Sequence, residues 1–256
     1  FAQLREAGAG RLLDLATKGS GQTPWSRRGD GRLTLKGGMR EILAATLLEA
    51  LGVPTSRAFS LIETGEALER NDEPSPTRSA VLVRLSHSHI RFGAFQRQSY
   101  FERGDNVAVL VDHCIEAYFP ELTDAPDRPV ALLQAVVART ARLAARWMSA
   151  GFVHGVLNTD NMVVTGESFD YGPWRFLSFY DPSFTAAYFD HEGLYCYGRQ
   201  AEAVYWNLDQ LARALFALAP EGAESRWHKS LSGALSNFPD VYRRELVVRF
   251  FARVGW

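Results

Sequence analysis

The chain has 256 residues, 28 Lys and Arg against 29 Asp and Glu, and a net charge of −1. Hydrophobic residues make up 46% and charged residues 22%, enough apolar material for a packed core, which excludes a disordered tail, a collagen-like repeat or a disulfide-stapled miniprotein. The balanced charge excludes a nucleic-acid binder working by bulk electrostatics, and no apolar run approaches the roughly 20 residues of a membrane-spanning helix.

Residues 1–18 read as a β-hairpin, with arms at 1–5 and 12–17 and a turn at Gly8-Ala9-Gly10. The segment GSGQTPWSRRGDG (19–31) has loop chemistry with a heavy basic load at Arg27 and Arg28. Ile42, Leu43, Leu47 and Leu51 predict a helix over residues 39–51, stopped by Gly52-Val53-Pro54. Strands are expected at 57–62 and 80–84, flanking a polar loop at 69–77. Helices follow at 105–119, 129–150, 199–218, 223–235 and 239–254. The longest carries Leu132, Val136, Leu143 and Trp147 on one face and Pro129 at its start. Strands come first and helices later, so the expectation is an α+β chain of two lobes, 1–97 and 98–256, with a cleft between them. The six tryptophans are expected in the core or at the lobe interface. Cys114 and Cys196 have no disulfide or zinc spacing and read as small buried hydrophobes in a reduced setting. No basic stretch followed by an apolar run marks a secretory leader. A cytoplasmic location is expected, or a mitochondrial one after loss of a targeting segment.

The chemistry concentrates in GFVHGVLNTDNMVVTGESFDYGP, residues 151–173. Met162–Val164 and Phe176-Leu177 are expected to frame a hairpin, leaving Asp160, Asn161 and Asp170 on loops beside short strands. Singly, Asp, Asn and Gly are ordinary turn formers. As a spaced set after a long helix they match what kinase-type phosphoryl transfer uses. Asn161 and Asp170 offer hard oxygen ligands for magnesium, and Asp160 can orient or deprotonate an attacking hydroxyl. Upstream, Lys18 ends a strand and Glu41 is expected in the first turn of the next helix, an order that suits a phosphate grip and its ion-pair partner. Arg84 and Arg91, around Ser86-His87-Ser88-His89, can clamp a phosphate by bidentate contacts. With Arg27, Arg28 and Arg32 they would form a basic cleft set against Asp160 and Asp170. The motifs of an ordinary protein kinase are not all there. His154-Gly155 stands six residues before Asp160 in place of H-R-D, and no A-P-E follows Asp170. His87, His89 and Asp190-His191 complete no spaced metal site.

Taken together, KGSGQTPWSRRGDGR (18–32), MREIL (39–43), LGVPTSRAFSLI (51–62), VRLSHSHIRFGAF (83–95), FVHGVLNTDNM (152–162), FDYGP (169–173), DHEGLYCYGRQ (190–200) and YWNL (205–208) resemble the selenoprotein O, or YdiU, family over most of residues 12–215. The resemblance implies a protein-kinase-like fold with a strand-rich first lobe and a helical second lobe. It implies a protein adenylyltransferase that moves AMP from ATP to protein hydroxyls using an inverted nucleotide and Mg2+ or Mn2+. By motif, Lys18, Asp30, Gly31, Arg84, Arg91 and Asp170 would contact ATP, Glu41 would pair with Lys18, Asp160 would be the base, and Asn161 and Asp170 would hold the metal. The expected partners are ATP and proteins bearing Ser, Thr or Tyr hydroxyls, with no nucleic acid and no membrane. The family's glycine-rich segment ahead of the lysine and its tail cysteine or selenocysteine have no counterpart in these residues, and GGMREIL diverges from the usual R-S-x-I-R-E, so a divergent and truncated member is expected. A kinase acting on a protein or small molecule, and a pseudokinase that only binds nucleotide, stay open beside this reading.

Overall fold

The structure is a computed structural model that describes residues 2–256 apart from Ala9, Trp25, Arg27 and Arg28. The centre of the expected hairpin turn and the basic pair 27–28 therefore lie outside the described residues. The first part is an antiparallel sheet. Strand β1 (Ala2–Arg5) pairs with β2 (Leu12–Lys18), which pairs with β5 (Thr77–Ser86). The short β3 (Leu33–Thr34) lies against β5 at Ala80 and Ser79, and β4 (Arg57–Leu68) takes the opposite edge with bulges near Ala58 and Glu63. Alternate residues of β5 are buried: Ala80, Leu82, Arg84 and Ser86. Period-2 geometry thus puts a guanidinium on the core side of the sheet, next to Ala16, its partner on β2. Lys18, paired with Leu82, shares that face.

Helix α1 (Leu35–Ala50) starts earlier than its apolar spacing suggests, because the Thr34 hydroxyl accepts a hydrogen bond from Gly37 N at 3.0 Å and caps it. Glu41 consequently falls in the second turn. The spaced leucines also face outward: Leu43 and Leu47 are exposed, whereas Gly38, Glu41, Ala44, Ala45 and Leu48 are buried. Small residues allow close approach to the sheet, since a Cβ at Gly38 would press on Leu61.

The second part is helical: α2 (Phe92–Tyr100), α3 (Gly104–Tyr118), α4 (Arg128–Ala150), α5 (Gln200–Phe216), α6 (Glu224–Ser236) and α7 (Phe238–Arg253). Helix α2 was not expected; it runs across the boundary drawn between residues 97 and 98 and packs on α3 and α5. The long α4 lies at the centre, against α3, α5, α6 and α7, and ends where Gly151 adopts φ +66°. Its Leu132, Leu133, Val136, Leu143 and Trp147 join Phe92, Phe95, Phe119 and Phe152 in the core. Trp147, Trp174 and Trp227 are buried as expected, but Trp206 and Trp256 are exposed. Both cysteines are free and buried, and burial pushes the Cys114 thiol up to about 12. No helix among the described residues is long and apolar enough to cross a membrane.

The expected hairpin has a different partner. Residues 174–176 (β7) pair with β6 (Phe152–His154), Phe152 opposite Phe176. Val163 instead bridges to Arg91, with Phe92 N donating to Met162 O (2.9 Å) and Val164 N to Ile90 O (3.0 Å). Two similar apolar runs compete for one partner, and the run that leaves Gly151 directly wins because Gly151 O also accepts Leu177 N at 2.8 Å. Sheet and helices are further joined where Ser56 N donates to Ser168 O (3.1 Å) and Ser168 N to Pro54 O (2.8 Å). From α1, the Arg40 guanidinium lies over the Trp174 ring and donates to its carbonyl at 2.9 Å.

Candidate active site

The sheet and the helical part meet at a cluster of five charges. From β2, Lys18 Nζ donates to Glu41 Oε1 at 2.6 Å and also contacts Asp170 Oδ1. From β5, Arg84 Nη1 is 3.6 Å from Asp170 Oδ1 and 3.9 Å from Glu41 Oε2. Arg91, the residue before α2, places Nη2 3.5 Å from Asp170 Oδ2. Residues up to 152 positions apart in the chain thus converge, as their order and spacing lead one to expect. Burial alone would raise the Asp170 carboxyl, but Lys18, Arg84 and Arg91 outweigh it and hold the group well below the usual carboxylate range. Burial pushes the Glu41 carboxyl up, with Lys18 and Arg84 opposing and Asp170 reinforcing. Glu41 is thus the second, weaker anion in a site that holds Asp170 ionised.

Asp170 sits in a left-handed conformation, φ +60°, between Phe169 and Tyr171, both buried. Asp tolerates that region better than most side chains. The Arg84 and Arg91 guanidinium groups lie 4.4 and 5.0 Å from the Phe169 ring centroid, so one aromatic ring carries both. His154 Nε2 donates to Phe169 O at 3.2 Å, and His154 Nδ1 accepts from Val156 N at 3.3 Å. This assigns the neutral Nε2–H tautomer, and burial lowers the ring to about 4.

Asp160 and Asn161 lie on a short 3-10 turn, Thr159–Asn161, capped by Asn158, whose side chain accepts Asp160 N at 3.0 Å. Asn161 Nδ2 donates to Val156 O at 2.9 Å, which fixes the amide and leaves its oxygen available as a ligand. The Asp160 carboxylate abuts Gly93 in the first turn of α2, so closely that a Cβ there would overlap Oδ1.

Two side chains of α5 that sequence reasoning did not single out hold this loop. Gln200 accepts His154 N and donates to Phe152 O, both at 2.9 Å, and Asn207 donates to Leu157 O at 2.8 Å. Both are completely buried. Their signal was available: amides seven residues apart on the apolar face of Ala203, Val204, Leu208 and Leu211.

Asp30 and Gly31 do not join the cluster. Asp30 accepts Arg32 N at 2.9 Å and both Arg70 terminal nitrogens at 2.9 and 3.2 Å, so it is tied to the end of β4. Gly31 has φ +67°, and a Cβ there would overlap Gly21, to which its carbonyl is bonded at 3.0 Å. Arg32, expected in the basic cleft, pairs with Glu66 at 3.0 Å. A cavity of about 600 Å³ opens beside the cluster, lined by Asp14, Ala16, Thr17, Arg84, His89 and Arg91. A larger one, about 810 Å³, lies elsewhere, between the β1–β2 hairpin and α4, and contains none of the residues assigned a role from the sequence.

The chain matches the family model for protein adenylyltransferase SelO over residues 1–256, a span wider than the motif-bearing stretch. It is 57% identical over 247 residues to protein nucleotidyltransferase YdiU of Synechococcus elongatus, covering 96% of this chain and 49% of that protein. The Gloeobacter violaceus protein of the same name is 52% identical over 247 residues, covering 96% and 50%. That of Pseudomonas putida is 44% identical over 207 residues, covering 81% and 42%. The chain belongs to the SelO family of protein nucleotidyltransferases. It spans about half the length of the curated relatives it matches.

Proposed function

We propose that the chain carries the catalytic machinery of a protein adenylyltransferase, moving AMP from ATP to a Ser, Thr or Tyr hydroxyl of another protein in the cytoplasm. The observation that carries this reading is the Arg84 guanidinium. Its Nε and Nη1 are buried without a hydrogen-bond partner, beside a cavity that Arg91 also lines. Buried donors left unpaired are costly unless a ligand satisfies them, and a guanidinium fits phosphate oxygens. A triphosphate with its terminal phosphates between Arg84 and Arg91 would turn its α-phosphate outward to the acceptor, the arrangement of an inverted nucleotide, with Asp160 as the proposed base. The acceptor oxygen would bond to the α-phosphorus as the bond to the bridging oxygen breaks. Pyrophosphate leaves, and the hydroxyl proton passes to Asp160. Asn161 Oδ1 and the Asp170 carboxylate suit a Mg2+ or Mn2+ ion, which would offset charge on the phosphates. Lys18, held by Glu41, would grip a phosphate oxygen. Asp30 and Gly31 are assigned to the nucleotide by motif, outside the charged cluster.

ATP labelled on the α-phosphate should mark protein and γ-labelled ATP should not. Transfer of the γ-label would replace this reading with a kinase. Asp160→Ala should abolish labelling while leaving the affinity for ATP with magnesium within about threefold of the parent chain, since a base contributes to the transition state rather than to ground-state binding.

A further inference from the structure

Resting on the nucleotide reading above, we propose that His89 is a third ligand for the terminal phosphates, beside Arg84 and Arg91. The residue belongs to a Ser-His-Ser-His run whose two histidines diverge. His87 Nδ1 contacts Glu167. His89 turns to the cavity that Arg84 and Arg91 line. Its Nε2 is buried and has no hydrogen-bond partner.

Two residues hold His89. It stands edge-on to Phe169 at 5.4 Å, the ring that also carries both guanidinium groups. Its backbone N donates to Asp14 Oδ2 at 3.1 Å, and Nδ1 lies 3.7 Å from the same oxygen. Asp14 is itself fixed by Gln3 Nε2 at 2.9 Å. A hydrogen on Nε2 would give the cavity a donor with no protein acceptor to satisfy it, as an anionic ligand requires. Arg84, Arg91 and His89 then line one cavity with nitrogen donors, which suits a phosphate group.

Binding of ATP, AMP and inorganic tripolyphosphate to the whole chain separates this role from a structural one. His89→Ala should weaken ATP and tripolyphosphate by roughly 10-fold or more, the worth of a hydrogen bond to a charged group, and leave AMP unchanged. His89→Gln, which keeps a donor, should recover part of the loss, with thermal midpoints confirming that both variants fold. Equal weakening of all three ligands, or undiminished ATP binding, overturns the assignment. A parent chain that binds neither ATP nor tripolyphosphate overturns the nucleotide reading itself, and His89 with it.

Discussion

His154 is packed among the rings of Trp147, Phe152 and Tyr171, with centroids 5.7 to 6.2 Å away. Neutral, it donates to Phe169 O and accepts from Val156 N, so one side chain joins the Asp160 loop to the Asp170 loop. Its ordinary value is 6.5 and burial lowers it to about 4. Between those two values the unfolded chain takes up a proton that the folded chain refuses. Stability is therefore complete above about pH 6.5 and falls as pH drops toward 4, by about 3 kcal/mol over that range. Urea unfolding at pH 7 and pH 4.5 measures this, and His154→Gln should show the shallower pH dependence. Asp170 acts in the same direction lower down, since its depressed carboxyl gives up its stabilisation only at strongly acid pH. The sequence marks Lys18, Glu41, Arg84, Arg91 and Asp170 through chemistry and order alone. It marks His154 only by its place before Asp160, because its burial depends on the β6–β7 hairpin. Asp30 was legible as a motif residue but not in its contacts, since Arg70, which binds it, lies 40 positions away.

Helix α2 positions the proposed base. Asp160 packs against its first turn, where only a residue without a side chain fits at 93. Gly93→Ala adds helix propensity and should leave the thermal midpoint nearly unchanged. It should lower kcat by roughly 100-fold, the scale of an ångström-level misplacement, with KM for ATP little altered. A kcat equal to that of the parent chain would show that the contact has no bearing on the reaction. Helix α1 gives a second case. Its Thr34 cap fixes the start of the helix that carries Glu41, and Thr34→Ala should cost about 1 kcal/mol in denaturant unfolding. Element types were legible wherever apolar spacing was long, as in α4. Which face points inward was not legible for α1, where glycine and alanine rather than leucine meet the sheet. Pairing was not legible for 152–154 against 162–164, because both runs are short and apolar and only the Gly151 turn decides between them. Helix α2 escaped notice because RFGAFQRQSY is basic and glycine-bearing, while its buried contacts, Phe92 and Phe95, are only two residues.

At the scale of the molecule, a near-zero net charge conceals a local imbalance. Three cations, Lys18, Arg84 and Arg91, face one carboxylate, Asp170, and two of them, Lys18 and Arg84, also meet Glu41. The two-part α+β order was readable from strands preceding helices. The joints between the parts, at Ser56–Ser168 and Arg91–Val163, were not, because backbone bridges leave no side-chain pattern. All three cations lie against Asp170, which has a thermodynamic consequence. A polyphosphate that draws the three cations toward itself releases the Asp170 oxygens, and a divalent ion on those oxygens in turn releases the cations. Under the proposed function each ligand would make room for the other, so the two would bind with positive linkage, by equal factors in either order. Titrating ATP at several magnesium concentrations should give affinities that rise with the metal. In Asp170→Asn, which suits the left-handed backbone and lacks the charge, ATP alone should bind at least as well as to the parent chain and magnesium should add little. The carboxylate would then act as a placeholder, holding the phosphate site closed until both ligands arrive.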